Sequence, residues 1–470
     1  MFLMRWEMSV KARPDILHVP DDYEKIQWAV GNASEGDTIF VHKGTYYEQV
    51  IINKSVYLIG EDKDSTVIDG GNEPGNVISI TADSVSIESF TIKRSGTRPY
   101  DSGIFVDHSS GNNISHNTIT NNYDGISLYS SGNSLVSGNT ITNNYDGISL
   151  YSSSNSLVSG NTITNNNGGI SLYFSSNSLV SGNTITLNNK YGMHFALYSS
   201  NNIICCNNFN NARQVWSDSV NVWDDGDEGN YWSDYTGQDL NADGIGDTPY
   251  PIEVNDQDNH PLMGMFSNFA VTLERKTYHV TTICNSTISE FRFEIGPETG
   301  NKIIRFNATG KDGTVGFCRV MIPAGLMNYP YIVLVDAEEI VPTLLAVSNE
   351  TYVYLYFTYI HSSHTITIIS SKTLTLYNEL LDKHVKLNAT YYALLNNYGV
   401  LLSNYTQLQE SYRELNSSYQ EHLLDCSKNE RNIRNLMYIL AAITAIFIII
   451  IIYLSKRAHT GKTKVFEDKK

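Results

Sequence analysis

Two side-chain arrangements in this 470-residue chain could do chemistry. The first is Asp239-x-Asn241-x-Asp243-Gly244-x-x-Asp247, which sets oxygen donors at the first, third, fifth and ninth places of a loop with glycine sixth. A hard cation such as Ca²⁺ wants about six to eight oxygens on a tightly turned backbone, and this spacing supplies several. Tyr250 stands at the twelfth place, where a bidentate acid would complete the shell, so Asp234, Asp256 or Asp258 would have to make up the set. The reading is a structural Ca²⁺ site; the competing one is an Asx-rich turn that needs no metal. The second arrangement is a row of tyrosines, Tyr129, Tyr151, Tyr173 and Tyr198, with a shorter row at Tyr123 and Tyr145. Aromatic rows can stack on the rings of an extended polysaccharide, or on one another, which stabilises the protein and binds nothing. The four longer-row tyrosines are the candidate ligand-binding residues.

Catalysis asks for more. Asp124 and Asp146 stand at equivalent places one repeat apart, with Gly168 at the next. Two carboxylates stacked about 5 Å apart could raise one pKa and serve acid–base chemistry, yet Asp-Gly pairs are usually turn residues. Arg94, Arg98 and Asp101 sit in an inserted loop. No residue is assigned a catalytic role. Copper would need clustered His, Met or Cys, and His42, His108, His116, His194 and Cys205-Cys206 follow no repeated pattern.

What must position these residues is a repeat. SGNTITNNYDGISLYSSSNSLV recurs with Asn117, Asn139, Asn161 and Asn183 each 22 residues apart, and Gly125, Gly147 and Gly169 keep the same step. Short alternating runs separated by NN and SS clusters read as strands too short to stand alone. A unit of this length is one coil of a parallel β-helix, with about 4.8 Å between coils and like residues lying over like. Ile126, Ile148 and Ile170 then form one inward row, Leu128, Leu150 and Leu172 another, and the asparagines a hydrogen-bonded row at a corner. A leucine-rich-repeat solenoid would need a helical half-repeat that is absent. Upstream, a short amphipathic helix over Tyr23–Asn32 is placed to cap the open end of the stack.

The opening stretch, with Gly36-Asp37-Thr38-Ile39, Gly44-Thr45-Tyr46 and Ile59-Gly60-Glu61, the NxIxxN-type coils and the closing Gly229-Asn230-Tyr231-Trp232-Ser233-Asp234-Tyr235 resemble NosD-like β-helices of the pectin-lyase fold over residues 20–265. The resemblance implies a right-handed parallel β-helix of the carbohydrate-binding and sugar-hydrolase class, common on microbial surfaces. Its named member is a periplasmic protein linked to copper delivery.

Composition fits a surface protein. Charged residues are only 17% while tyrosine (31) and glycine (33) abound, and the net charge of -17 argues against a nucleic-acid partner, which requires clustered Lys and Arg. Five cysteines make no disulfide framework. Cys205 and Cys206, adjacent in a strand, should point to opposite faces, Cys284 and Cys318 could pair, and Cys426 stands alone. Strand-like segments over residues 270–371 read as an Ig-like β-sandwich. From Tyr377 a heptad places Tyr391, Tyr398, Tyr405, Tyr412, Tyr419 and Cys426 at one position and Leu394, Leu401, Leu408 and Leu415 three later, a coiled-coil stalk over 372–430. Leu436–Leu454 is uncharged and long enough to cross a bilayer, and 455–470 is a basic tail. Sequons at Asn285, Asn307, Asn349, Asn388, Asn404 and Asn416 all precede the span and favour a glycosylated, outside-facing body, although residues 1–19 lack the apolar core of a signal peptide. The expectation is a mainly β, membrane-anchored surface protein, a homo-oligomer through its stalk, that binds or presents a glycan or shapes the surface. A polysaccharide hydrolase, lyase or epimerase and a copper-delivery accessory protein are the alternatives.

Overall fold

A computed structural model describes residues 14–253, 256–370 and 372–462, and the chain divides after Thr375 into two units. Most of the first unit is a stack of coils whose strands form three parallel sheets of nine, eight and nine strands. Each strand neighbours its counterpart one coil away. Ile126 pairs with Ile148 and Ile148 with Ile170, and Leu128, Leu150 and Leu172 follow the same register. All six side chains are fully buried. The other two sheets add rows of their own, Val136, Val158, Val180 and Ile119, Ile141, Ile163, Ile185. Each such side chain contributes roughly 1.5–3 kcal/mol through burial.

The corners are held by asparagine. Asn161 Oδ1 accepts from Asn139 N at 2.9 Å and from Asn139 Nδ2 at 3.0 Å, while its own Nδ2 donates to Val136 O and Asn183 Oδ1, both at 2.9 Å. The row continues through Asn207 to Asn230. A second row, Asn122, Asn144, Asn166, Asn188 and Asn211, does the same at the next corner.

Both ends of the stack are closed. The short helix Ile26–Asn32 lays Ile26, Ala29 and Val30 onto the first coils. Glu48 accepts from the Ile26 and Gln27 amides, and Lys54 Nζ donates to Gly31 O and Ala33 O, so neighbouring coils satisfy both helix ends. The strand Ile16–Val19 already pairs with Thr38–Val41, so stacking starts ahead of residue 20. At the far end Trp232 stacks on Phe209 at 4.5 Å and on Tyr250 at 4.4 Å. Asp258 accepts from Asn230 N and Trp232 Nε1, which explains the Gly-Asn-Tyr-Trp run: Asn230 ends the corner row, Trp232 seals the core, and a side chain at Gly229 would run into the Asp258 carboxylate.

Residues 265–370 form two antiparallel five-stranded sheets that share one core including Val280, Phe306, Val320, Leu355 and Ile368. Cys284 and Cys318 face each other in register as buried free thiols. The helix Lys372–Lys462 begins just before the division and runs through the second unit, with a stretch apolar enough to cross a membrane. The heptad residues Tyr391, Leu394, Leu408 and Tyr412 are exposed on the single chain.

Replacing Asn161 by alanine orphans buried groups in two adjacent coils. Asn161→Ala should lower stability by about 2 kcal/mol or more, whereas exposed Thr162→Ala, at the start of the strand that follows, should cost under about 0.5 kcal/mol, read as shifts in the denaturation midpoint.

Candidate functional site: a tyrosine-walled groove

The tyrosine rows meet on four neighbouring strands of the eight-stranded sheet, β1 (Asp124–Tyr129), β2 (Asp146–Tyr151), β3 (Gly168–Tyr173) and β4 (Tyr191–Ala196). In Asp-Gly-Ile-Ser-Leu-Tyr the isoleucine and leucine turn inward, leaving serine and tyrosine on the outer face. The glycine turns inward too: a Cβ at Gly125 would press on Gly147 O and Ile141 Cγ2. The aspartate before it therefore opens to the outside, beside the serines.

The result is a cavity of about 380 Å³. Tyr123 and Tyr145 line it at one end of the strands, with rings 4.9 Å apart and nearly parallel. Tyr129, Tyr151 and Tyr173 line it at the other, with centroid spacings of 5.2 and 6.3 Å. Asp124, Asp146, Ser127 and Ser149 lie between, and Pro99 and Tyr100 reach in from the inserted loop. Arg94 of that loop is spent elsewhere: it grips Asp69 through Nε at 2.7 Å and Nη2 at 2.5 Å.

The two carboxyls are unusual for their burial. Asp124 is only 6% exposed, and burial followed by the charge of Asp146 pushes its pKa up to about 7. Burial raises Asp146 to about 6, moderated by Lys190 and by the hydroxyls of Tyr191 and Ser171. Asp146 Oδ1 is buried without a hydrogen-bond partner. Gly168 gives it room, since a Cβ there would collide with that same oxygen and with the Tyr191 ring. The third coil thus departs from the Asp-Gly pattern where a third acid would have no space.

Of the four expected tyrosines, three line the groove. Tyr198 does not: it is 84% exposed in a left-handed turn (φ 69°), and the register sets Ala196 beside Tyr173. The row breaks because this coil, shifted by one inserted residue, carries Ala196 in the tyrosine slot and has its tyrosine two residues further on. Sequence reasoning undervalued Asp124 and Asp146 as turn residues; their register beneath two tyrosine rows is the signal that marks them.

The Asp-rich loop closes on itself. Asp239 accepts from the amides of Asp243 and Gly244, Asp243 from Ile245 N and Asn241 Nδ2, and Asp247 from Leu240 N. Asp234 accepts from the Tyr250 hydroxyl, Asp258 holds the end of the β-helix, and Asp256 accepts from Asn221 N at 3.3 Å, so the three supplementary acids have other partners. Cys205 and Cys206 depart from expectation. Cys206 has φ 58°, which bends the chain out of the strand and brings both sulfurs and an Asp225 oxygen within 4.8 Å of one another, instead of onto opposite faces.

Three parallel sheets stacked coil on coil, with asparagine rows at their corners and a groove on one outer face, define a parallel β-helix protein. Residues 30–237 match the family described as periplasmic copper-binding protein (NosD), and the β-helix is NosD-like. No curated protein matches the chain. The chain is similar to several solved structures, at a low level. The Dettilon tailspike protein is 12% identical with a TM-score of 0.34, covering 76% of this chain and 94% of its own. An alginate lyase from Paenibacillus sp. str. FPU-7 is 14% identical (TM-score 0.34; 45% and 94%), and pectin methylesterase PemA from Erwinia chrysanthemi 13% (TM-score 0.30; 44% and 81%).

The acid pair predicts a pH dependence. Both aspartates are raised above the unfolded value, so the folded chain holds these protons longer and their contribution to stability falls as pH rises from about 4 to about 7. Asp124→Asn, permanently neutral, should melt higher than wild type at pH 8 and lose that advantage by pH 4; an equal shift at both pH values would contradict the burial of the charge.

Proposed function

We propose that this is a membrane-anchored surface protein that binds carbohydrate in the tyrosine-walled groove, with its body outside, its paired sheets an Ig-like spacer and a second copy along its heptad seam. The observation that carries the reading is the unpartnered Asp146 Oδ1, buried among aromatic rings. A buried acceptor without a donor is costly, and a sugar supplies both a hydroxyl to satisfy it and an apolar ring face to lie against tyrosine. The cavity size is in the range of small-ligand sites.

A second reading is favoured by the acid pair itself. Two adjacent carboxyls with pKa values near neutrality include one protonated and one ionised member at working pH, which is what acid–base attack on a glycosidic bond requires. The copper named for the family would find its soft donors in Cys205 and Cys206 rather than in the groove. The Asp-rich loop is proposed to take a structural Ca²⁺.

Glycan-array binding by the full chain in detergent tests the first reading. Tyr151→Ala should weaken binding about ten-fold, equivalent to ~1.4 kcal/mol, and Tyr198→Ala should leave it unchanged; equal losses would remove the groove from consideration. Release of shortened or unsaturated oligosaccharides, abolished by Asp124→Asn, would replace binding by catalysis. On the same sample EDTA should lower the melting temperature, and a non-reducing gel should show Cys426 joining two copies unless it is changed to serine; an unmoved transition or a lone monomer dismisses the respective proposal.

A further inference from the structure

Ser-Gly-Asn ends one strand of each perfect coil, at Ser137-Gly138-Asn139, Ser159-Gly160-Asn161 and Ser181-Gly182-Asn183, but the last coil reads Cys205-Cys206-Asn207. The exchange happens in register: Ser181 pairs with Cys205, and Asn183 donates to Asn207 Oδ1 at 2.9 Å as in every earlier coil. The three glycines have φ of 64°, 63° and 66°, and Cys206 keeps that backbone at 58°. A left-handed conformation is unfavourable for a residue with a Cβ, so a thiol stands where glycine would be easier. The bend folds Cys206 back on its neighbour. Among the described residues, Cys205 Sγ, Cys206 Sγ and an Asp225 carboxylate oxygen are the one trio of such donors lying within 4.8 Å of one another.

A further carboxylate is fixed beside them. Glu228 Oε2 lies 3.9 Å from Cys206 Sγ, and Arg319 Nη2 holds Glu228 Oε1 at 3.0 Å. The strand Ile203–Cys205 belongs to a different sheet from the groove. Two sulfurs with carboxylate support are the donor set of a thiophilic ion such as Zn²⁺ or Cu⁺.

We propose that Cys205, Cys206 and Asp225 form a binding site for one thiophilic metal ion, with Glu228 supporting it. Binding releases both thiol protons to solvent, so affinity rises with pH. This rests on the cysteine pair and not on the groove, and either can fail without the other.

The full chain, reduced and held in dodecyl maltoside, is titrated with Zn²⁺ and separately with Cu⁺ buffered by a coloured chelator. The control is Cys205→Ser/Cys206→Gly, which restores the residues of the preceding coils and so keeps the fold. Wild type should retain one equivalent of either ion through desalting, and peptide mass analysis should show Cys205 and Cys206 shielded from alkylation by the metal. The double variant should lose that equivalent, and Asp225→Asn should weaken binding roughly ten-fold or more. Equal retention by wild type and double variant, alkylation unchanged by metal, or a chain isolated from cells with Cys205 and Cys206 joined as a disulfide would each overturn the site.

Discussion

Every coil of a parallel β-helix must turn its backbone through corners, where amides and carbonyls lose strand partners while staying out of reach of water. Burying such groups unpaired costs about 1–3 kcal/mol apiece. Here the asparagine rows absorb that cost, because one side-chain amide spans the gap between coils, accepting from the coil on one side while donating back to it and on to the next. The dependence is mutual: each asparagine is correctly placed only if the next coil is in register, and the apolar rows beneath fix that register. Side chains on the outer face are then free of structural duty.

That freedom is what the groove uses. A strand that sends isoleucine and leucine inward presents serine and tyrosine outward at a spacing set by the backbone, and Gly125 and Gly147 let the preceding acids open to the same side. Two aspartates one rung apart and roofed by rings cannot both ionise cheaply. The fold tolerates this strain in two coils and ends it at Gly168, so the acidic patch has a definite length.

How far the sequence could be read follows from the range of each interaction. The inward rows, the asparagine corner row and the parallel stacking were legible because identical residues recur at one period and a stacked fold converts period into contact. The stretch apolar enough to cross a membrane was legible for the simpler reason that uncharged length is a one-dimensional property. Tyr198 was misplaced because it stands two residues beyond the slot: the one-residue insertion that moves Gly192 moves the tyrosine position to Ala196 as well. Cys205 and Cys206 were read as strand neighbours with opposed side chains, since nothing local announces that Cys206 occupies a glycine-like left-handed corner; the aligned Gly138, Gly160 and Gly182 carried that information. The burial of Asp124 and Asp146 is tertiary, produced by rings from neighbouring coils.

The near identity of the central coils has an evolutionary corollary. Excising or duplicating one 22-residue stretch would leave junctions that match those already present, with Ile over Ile, Asn over Asn and Tyr over Tyr. DNA encoding such tandem copies is prone to slip during replication, and here slippage would yield a foldable chain whose outer tyrosine face is one rung shorter or longer. The length of the stack can therefore change by a counting change in the gene, with no new side chain invented.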